Sequence, residues 1–119
     1  MSNTKIIVIA GPESTGKSTL TKQLADYYKA PYIHEIAREY VEKLNRPYCF
    51  DDVLSIARKQ IKVENEMLKQ KPDYLFIDTD LIVTKVWLKH CYKKYPKWID
   101  KYLSAANRFL YLLCFYDIP

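Results

Sequence analysis

Residues 11–18 combine the amino-acid types that bind phosphate groups at the spacing such binding needs. The pattern GxxxxGK[ST] matches at Gly11, Gly16, Lys17 and Ser18. Glycine adopts positive φ angles without strain, so a loop containing it can wrap around a phosphate with its N–H groups pointing inward. The lysine brings a positive charge to the β- and γ-phosphates, and the serine hydroxyl can ligate Mg²⁺. We therefore predict a site for ATP with Mg²⁺ in this loop.

The surroundings of the loop strengthen this prediction. An apolar, β-branched run at residues 5–10 precedes it, and a segment with helical periodicity follows it, as the motif requires. The chain has 2 glycines, and both lie in this loop. The helix that follows would direct its free N–H groups and its dipole at the same anion. The predicted nucleotide-binding residues are Gly11, Glu13, Ser14, Thr15, Gly16, Lys17, Ser18 and Thr19.

A second set of candidate residues follows the apolar run at residues 74–77. Asp78 comes directly after this run, and Asp80 lies two residues further on. Ligands of open α/β sheets bind beyond the carboxyl ends of the strands, where a carboxylate can hold Mg²⁺ directly or through water. We therefore predict that Asp78 and Ser18 bind the metal. For Asp80, a helix cap and a ligand-binding role stay equally open.

A third cluster lies at the end of the candidate strand 32–34. Glu35 could accept a proton from a substrate hydroxyl, and Arg38 could neutralise charge that develops during phosphoryl transfer. A solvated helix start with acids near its N-terminus is an equal alternative for this cluster. The neighbouring His34 is interpreted as structural. The predicted catalytic residues are Lys17, Glu35, Arg38 and Asp78.

The order of the segments predicts an α/β fold. Apolar runs that suit buried strands occur at residues 5–10, 32–34, 74–77 and 109–114, separated by helical segments at 18–29, 37–44, 51 or 52 to 69, 81–93 and within 96–107. Asp51 or Asp52 is the expected N-cap of the longest helix. Strands that alternate with helices indicate a parallel sheet with helices on both faces. We predict a single domain over residues 1–119.

Composition excludes several other classes of protein. Hydrophobic residues make up 49% of the 119 residues, but no window offers the run of about eighteen apolar residues that a membrane span needs. The N-terminus lacks a secretory signal, so we expect a cytoplasmic protein. Cys49, Cys91 and Cys114 form no zinc-binding spacing with the histidines and are interpreted as reduced thiols. The net charge of +5 and the lysines of residues 85–97 could suit nucleic acid, but a solvated helix face is the favoured interpretation.

With these clusters in place, the chain resembles the ribosylnicotinamide kinase domain of NadR-type NAD-biosynthesis proteins, within the P-loop kinases. The resemblance extends in order over nearly the whole chain. Its segments are GPESTGKSTL (11–20), HEIAREYVE (34–42), IARKQIKVENEML (56–68), FIDTDLIVTKVW (76–87) and LYLLCFYDIP (110–119).

The resemblance implies that ATP phosphorylates the 5′-hydroxyl of nicotinamide riboside or a related nucleoside. It supports Glu35, Arg38, Asp78 and Asp80 as site residues. It also suggests a substrate-binding role for Trp87, because an aromatic face attracts a positively charged pyridinium ring. Plain core packing of Trp87 is an equal alternative.

The chain departs from the family pattern at its C-terminal end. The family's kinases continue past the DIP segment into an arginine-bearing lid and a further strand. We therefore expect an incomplete domain that lacks the lid and the last strand, which would leave the strand from Phe109 to Cys114 as an exposed apolar edge. Either the chain is part of a longer protein, or a partner or a second copy of the chain covers this edge. An ATP-binding regulatory or interaction module without kinase turnover is the alternative function.

Overall fold

The computed structural model describes residues 4–11, 16–105 and 108–113, without the side chains of Phe109 and Leu113. Within these residues, four strands alternate with five helices. The elements are β1 (Lys5–Ala10), α1 (Lys17–Tyr28), β2 (Tyr32–Ile33), α2 (Ile36–Glu42), α3 (Phe50–Lys69), β3 (Tyr74–Asp78), α4 (Leu81–Tyr92), α5 (Lys97–Ala105) and β4 (Arg108–Leu113).

The four strands form one parallel sheet in the order β2-β3-β1-β4. The predicted α/β class with a parallel sheet is therefore confirmed. In β1, the consecutive residues Ile6, Ile7, Val8 and Ile9 are all buried. Successive side chains of a strand point to opposite faces, so this burial shows that both faces of the sheet are covered.

Helices cover the two faces unequally. On one face, Ala25 of α1 packs against Ile7, Ile9 and Phe76. On the other face, residues of α2 and α3 pack against Ile6, Val8, Leu75 and Ile77, and Trp87 of α4 joins that core. A further cluster joins α3, α4 and α5. The predicted three-layer arrangement is confirmed by these contacts.

The N-cap predicted for α3 is wrong. The helix begins at Phe50 with Cys49 as its N-cap, and Asp52 lies inside the first turn. The Asp52 carboxylate accepts a hydrogen bond from the Cys49 N–H at 2.8 Å and also receives the guanidinium of Arg46 at 2.7 Å. Both contacts lower the pKa of Asp52 well below its usual range, and the hydrogen bond from Arg46 has the larger effect. Asp52 therefore reaches back to the cap from the third helical position, as in a capping box.

Two lysines of residues 85–97 contact partners inside the protein. The ammonium of Lys85 lies 2.7 Å from a carboxylate oxygen of Asp100 and over the ring of Tyr95, and Lys94 lies over the ring of Phe50. These contacts give part of the basic stretch a structural use. Binding of nucleic acid by this stretch stays an untested, disfavoured hypothesis.

Strand β4 lies at the edge of the sheet and pairs with β1 on its inner side. The side chains of Leu110 and Tyr111 are exposed. Among the described residues no strand pairs with the outer side of β4, and Cys114, the predicted last residue of this strand, lies outside them. Self-association through this edge stays a prediction.

The longest described helix, α3, carries charged residues along its length. In the described part of the chain, no helix is both long enough and apolar enough to cross a membrane.

Candidate functional site

The predicted phosphate-binding sequence joins β1 to α1. Gly11 directly follows the strand and has φ 139°, and Gly16 is the N-cap of the helix with φ 79°. Both angles lie in the region that favours glycine. A Cβ at Gly16 would meet no atom within 4 Å, so the requirement there is conformational rather than steric. Glu13, Ser14 and Thr15, which we predict bind nucleotide, lie outside the described residues.

Lys17 opens α1 and is buried, with 4% of its side chain exposed. Its Nζ lies 2.7 Å from Thr79 Oγ1, 2.9 Å from Asp78 Oδ1 and 3.3 Å from Glu35 Oε2. An ammonium group has three protons to donate. The three acceptors therefore match its hydrogen-bonding capacity without any ligand, and a phosphate must displace at least one of them to bind Lys17.

Ser18 and Asp78 meet beside Lys17. The Ser18 hydroxyl donates to Asp78 Oδ2 at 2.7 Å, and Asp78 is buried at the carboxyl end of β3. A hydroxyl and a carboxylate are the oxygen ligands that Mg²⁺ prefers, and the ion commonly uses one or two protein ligands together with phosphate oxygens and water. The pair therefore fits the predicted metal position. When bound there, Mg²⁺ would neutralise charge on the phosphates.

Glu35 stands between two cations. It is the N-cap residue of α2, and its Oε2 lies 3.3 Å from Lys17 Nζ and 3.2 Å from Arg38 Nη2. Its side chain is 15% exposed, against 41% for Arg38. The carboxylate is thus fixed beside the predicted phosphate site while Arg38 remains accessible, and the structure brings all four predicted catalytic residues together.

A cavity of about 420 Å³ opens beside Glu35. Glu35 and Thr79 line this cavity and also contact Lys17. Apolar and aromatic side chains, including Trp87 of α4, line it as well. The lining residues are Glu35, Ala37, Arg38, Val41, Glu42, Tyr48, Thr79, Val83, Thr84 and Trp87.

Tyr48 is a cavity residue that sequence reasoning missed. Its hydroxyl accepts a hydrogen bond from Trp87 Nε1 at 3.1 Å, and the two rings meet edge to face at 4.9 Å. Tyr48 comes from the irregular segment between α2 and α3, where no periodicity assigns a side chain to a face. Because the contact spans 39 positions, only the tertiary structure reveals it.

A smaller cavity of about 280 Å³ lies on the α1 side of Asp78. Its lining residues are Ser18, Thr19, Thr21, Lys22, Tyr32, His34 and Asp78. Thr19, a predicted nucleotide-binding residue, is therefore next to the predicted metal position. His34, interpreted as structural, contacts Glu39. The hydrogen bond from Lys43 and that from His34 lower the pKa of Glu39 to about 2.

Asp80 occupies a different place from the other predicted site residues. It is the N-cap of α4, and its Oδ1 accepts from the Ile82 N–H at 3.1 Å. Its Oδ2 receives Arg108 at 3.3 Å and the Tyr111 hydroxyl at 3.0 Å. Asp80 is not among the described residues that line the large cavity. The structure thus supports the cap, and the substrate-binding role of Asp80 stays a prediction.

Arg108 connects Asp80 to a second buried carboxylate. Its Nη2 lies 2.7 Å from Glu64 Oε1, which also accepts from the Tyr102 hydroxyl. The side chains of Arg108, Glu64 and Asp80 are all at most 7% exposed. Burial lowers the pKa of Arg108, but the charges of Glu64 and Asp80 outweigh that effect and raise it above its ordinary value. Burial and the charge of Asp80 raise the pKa of Tyr111 to about 12.

Comparison with known proteins agrees with this arrangement. The profile of a protein family described as an AAA domain matches residues 6–119. The fold is also similar to the crystal structure of thymidylate kinase from Ehrlichia chaffeensis, with a TM-score of 0.64 and 16% sequence identity over 93% of this chain and 71% of that chain. At this level of identity, the structural likeness concerns the fold alone.

The glycine motif lies between β1 and α1, and the Asp78 carboxylate lies at the end of β3. These two positions agree with the family match and with the structural similarity. The chain therefore belongs to the family described as an AAA domain, and its fold is that of a P-loop kinase.

Proposed function

We propose that this chain transfers the γ-phosphoryl group of ATP to the 5′-hydroxyl of nicotinamide riboside, a step of NAD biosynthesis. The observation that carries the proposal is Glu35. Its carboxylate contacts the phosphate-binding Lys17 and also lines the large cavity, so one group joins the nucleotide site to a candidate acceptor site.

The proposed reaction assigns one task to each group. Glu35 takes the proton of the 5′-hydroxyl while that oxygen bonds to the γ-phosphorus and the bond to the β-phosphate oxygen breaks. Lys17 and Arg38 stabilise the charge on the phosphoryl oxygens. Ser18 and Asp78 would hold Mg²⁺. ADP leaves as the second product.

The charge of the cavity supports a cationic acceptor. Among the lining residues that the structure describes, the two carboxylates of Glu35 and Glu42 outnumber the one guanidinium of Arg38, which gives these residues a net charge of −1. The aromatic residues Tyr48 and Trp87 also line the cavity, and aromatic rings attract cations. The positively charged pyridinium ring of nicotinamide riboside matches both features.

The assay that tests the proposal measures formation of the 5′-phosphate from nicotinamide riboside and MgATP. We expect saturable turnover with this acceptor and much less with uncharged nucleosides of similar size. Turnover with uridine or thymidine alone would refute the acceptor while retaining a kinase. Saturable binding of MgATP without transfer to any nucleoside would favour the alternative, a regulatory or interaction module.

Replacement of Trp87 by leucine tests the aromatic part of the cavity. We expect KM for nicotinamide riboside to rise roughly 3- to 30-fold, because a cation over an aromatic face contributes about 0.5–2 kcal/mol. The affinity for MgATP should stay within about twofold. A suitable probe is the reduced, uncharged dihydro form of the riboside, since its affinity should change less than that of the charged form.

Replacement of Trp98 by leucine is the matched control. Trp98 is half-buried in the cluster of α3, α4 and α5 and does not line the cavity. The Trp98 substitution should leave KM for nicotinamide riboside unchanged. Thermal melting verifies that this variant is folded. Equal effects of the Trp87 substitution on charged and uncharged ribosides would show that Trp87 serves packing only.

A further inference from the structure

Thr79 has a backbone conformation that its side chain disfavours. Its φ is 67°, in the left-handed region, and it directly follows the metal-site candidate Asp78. A β-branched residue in that region is an outlier, and such strain persists only where the surroundings impose it. Strained residues of this kind concentrate at functional sites.

Contacts on both sides impose this conformation. The Thr79 N–H donates to the carbonyl of Ile9 in β1 at 2.9 Å, which extends the strand pairing one residue beyond β3. Asp80 is held as the cap of α4 and by the contacts of Arg108 and Tyr111. The chain must therefore turn from a buried strand to a fixed helix start within one residue.

The turn directs the Thr79 hydroxyl into the site. Its oxygen lies 2.7 Å from Lys17 Nζ, shorter than either of the lysine's two carboxylate contacts, and Thr79 also lines the large cavity with Glu35. Thr79 is the neutral member of the three acceptors around this ammonium. The other two are carboxylates that repel a phosphate and that the proposed reaction uses elsewhere, Asp78 at the metal and Glu35 at the acceptor.

We infer that Thr79 is a positioning residue, whose strained backbone holds a neutral acceptor on Lys17 while the other protons of that ammonium turn to the phosphates. The inference rests on the proposed phosphoryl transfer and adds to it a residue that acts through Lys17. A hydroxyl fixed in this way holds the Lys17 ammonium beside Asp78 and Glu35 without adding negative charge. Alanine at this position would leave one buried N–H without its partner.

The experiment compares three variants, Thr79→Ser, Thr79→Ala and Thr79→Gly, in two reactions. One reaction is phosphorylation of nicotinamide riboside, and the other is slow hydrolysis of MgATP without acceptor. We expect serine to remain within about threefold of wild type in kcat. Alanine and glycine should lose roughly ten- to a hundredfold in both reactions, the loss expected for one hydrogen bond to a charged group. KM for the riboside should change less than kcat.

Thermal melting of the same variants tests the strain without any substrate. Alanine and glycine both lack the hydroxyl, so the difference between the melting temperatures of these two variants reflects the backbone strain at position 79. We expect the glycine variant to melt roughly 3–6 °C above the alanine variant, because only glycine adopts the left-handed region without cost. In ordinary strand or helix backbone, glycine would be the less stable of the two.

The outcomes separate failure of this inference from failure of the proposed function. An alanine variant with the kcat of wild type, or one that melts at or above the glycine variant, would overturn the role of Thr79 in an active enzyme. If hydrolysis of MgATP depends on the Thr79 hydroxyl but no phosphoryl group is transferred to the riboside, the positioning role of Thr79 stands. The assignment of nicotinamide riboside as the acceptor is then rejected. A wild-type protein that is inactive in both reactions would overturn the function and the positioning role together.

Discussion

Replacement of Glu35 by glutamine is expected to lower kcat for phosphoryl transfer about 10²- to 10⁴-fold, the usual contribution of a positioned general base. Glutamine keeps the size of the side chain and can still accept a hydrogen bond from Arg38. It cannot take the proton of the acceptor hydroxyl. The measurement is the steady-state rate with nicotinamide riboside at saturating MgATP.

The same substitution should leave MgATP binding intact or make it tighter. In the protein without nucleotide, the Glu35 carboxylate is one of the three acceptors of Lys17. Neutralising it removes a competitor of the phosphate groups, while Asp78 and Thr79 keep the lysine in place. A calorimetric titration with MgADP would detect this change separately from turnover.

Glu42→Gln provides the matched control. Glu42 lines the same cavity and its carboxylate is exposed, but it has no ion pair with Lys17 among the described contacts. We expect kcat of this variant to stay within about threefold of wild type, with a moderate rise in KM if Glu42 attracts the cationic ring. Equal kcat values for the two variants would remove Glu35 from the mechanism.

Replacement of Arg108 by methionine is expected to lower the free energy of unfolding by about 3–5 kcal/mol. The methionine fills much of the space, but it leaves the buried carboxylates of Glu64 and Asp80 without the guanidinium. Breaking a buried ion pair by removal of one partner costs more than the pair itself contributes, because the remaining charge stays desolvated. Urea denaturation monitored by fluorescence and circular dichroism measures the loss.

The control is Arg58→Met, the same change on an exposed position of α3. Arg58 lies over the ring of Trp98, and a contact of that kind contributes about 0.5–1 kcal/mol at exposed sites. A second variant, Arg108→Met with Glu64→Gln, should recover part of the stability, since one of the two buried charges is removed. If the free energy of unfolding falls by less than about 1 kcal/mol for Arg108→Met, the expected cost of unpaired buried carboxylates is contradicted. Solvent or local rearrangement would then stabilise Glu64 and Asp80 in place of the guanidinium.

The sequence predicted the framework closely. The bounds of β1 are those predicted, α1 and α4 differ from the prediction by one residue, and β3 extends one residue further, to Asp78. Glu64 of α3 is fully buried in the structure. Its partner Arg108 is 44 positions away, and no local pattern indicates why a charge can lie there.

Two other features depended on distant contacts. The N-cap of α3 was predicted at Asp51 or Asp52, but the cap lies at Cys49 because Asp52 receives both the Cys49 N–H and Arg46. Tyr48 lines the cavity and contacts Trp87, which is 39 positions away. The segment that contains Tyr48 has no regular pattern from which this contact could be predicted.

Residue types and their order along the chain were sufficient to predict the features that depend on local chemistry and on strand order. These features are the glycine motif, the lysine and serine that follow it, and the acids at the ends of the strands. Residue type and spacing define a phosphate loop because its geometry is set within eight residues, and parallel strands bring their carboxyl ends to one edge of the sheet. The folded structure was needed to show which acceptors surround Lys17, that Thr79 is strained, and that Asp80 caps a helix beside Arg108. Those features come from side chains tens of residues apart, and their positions follow from packing, which the order of residues along the chain does not display.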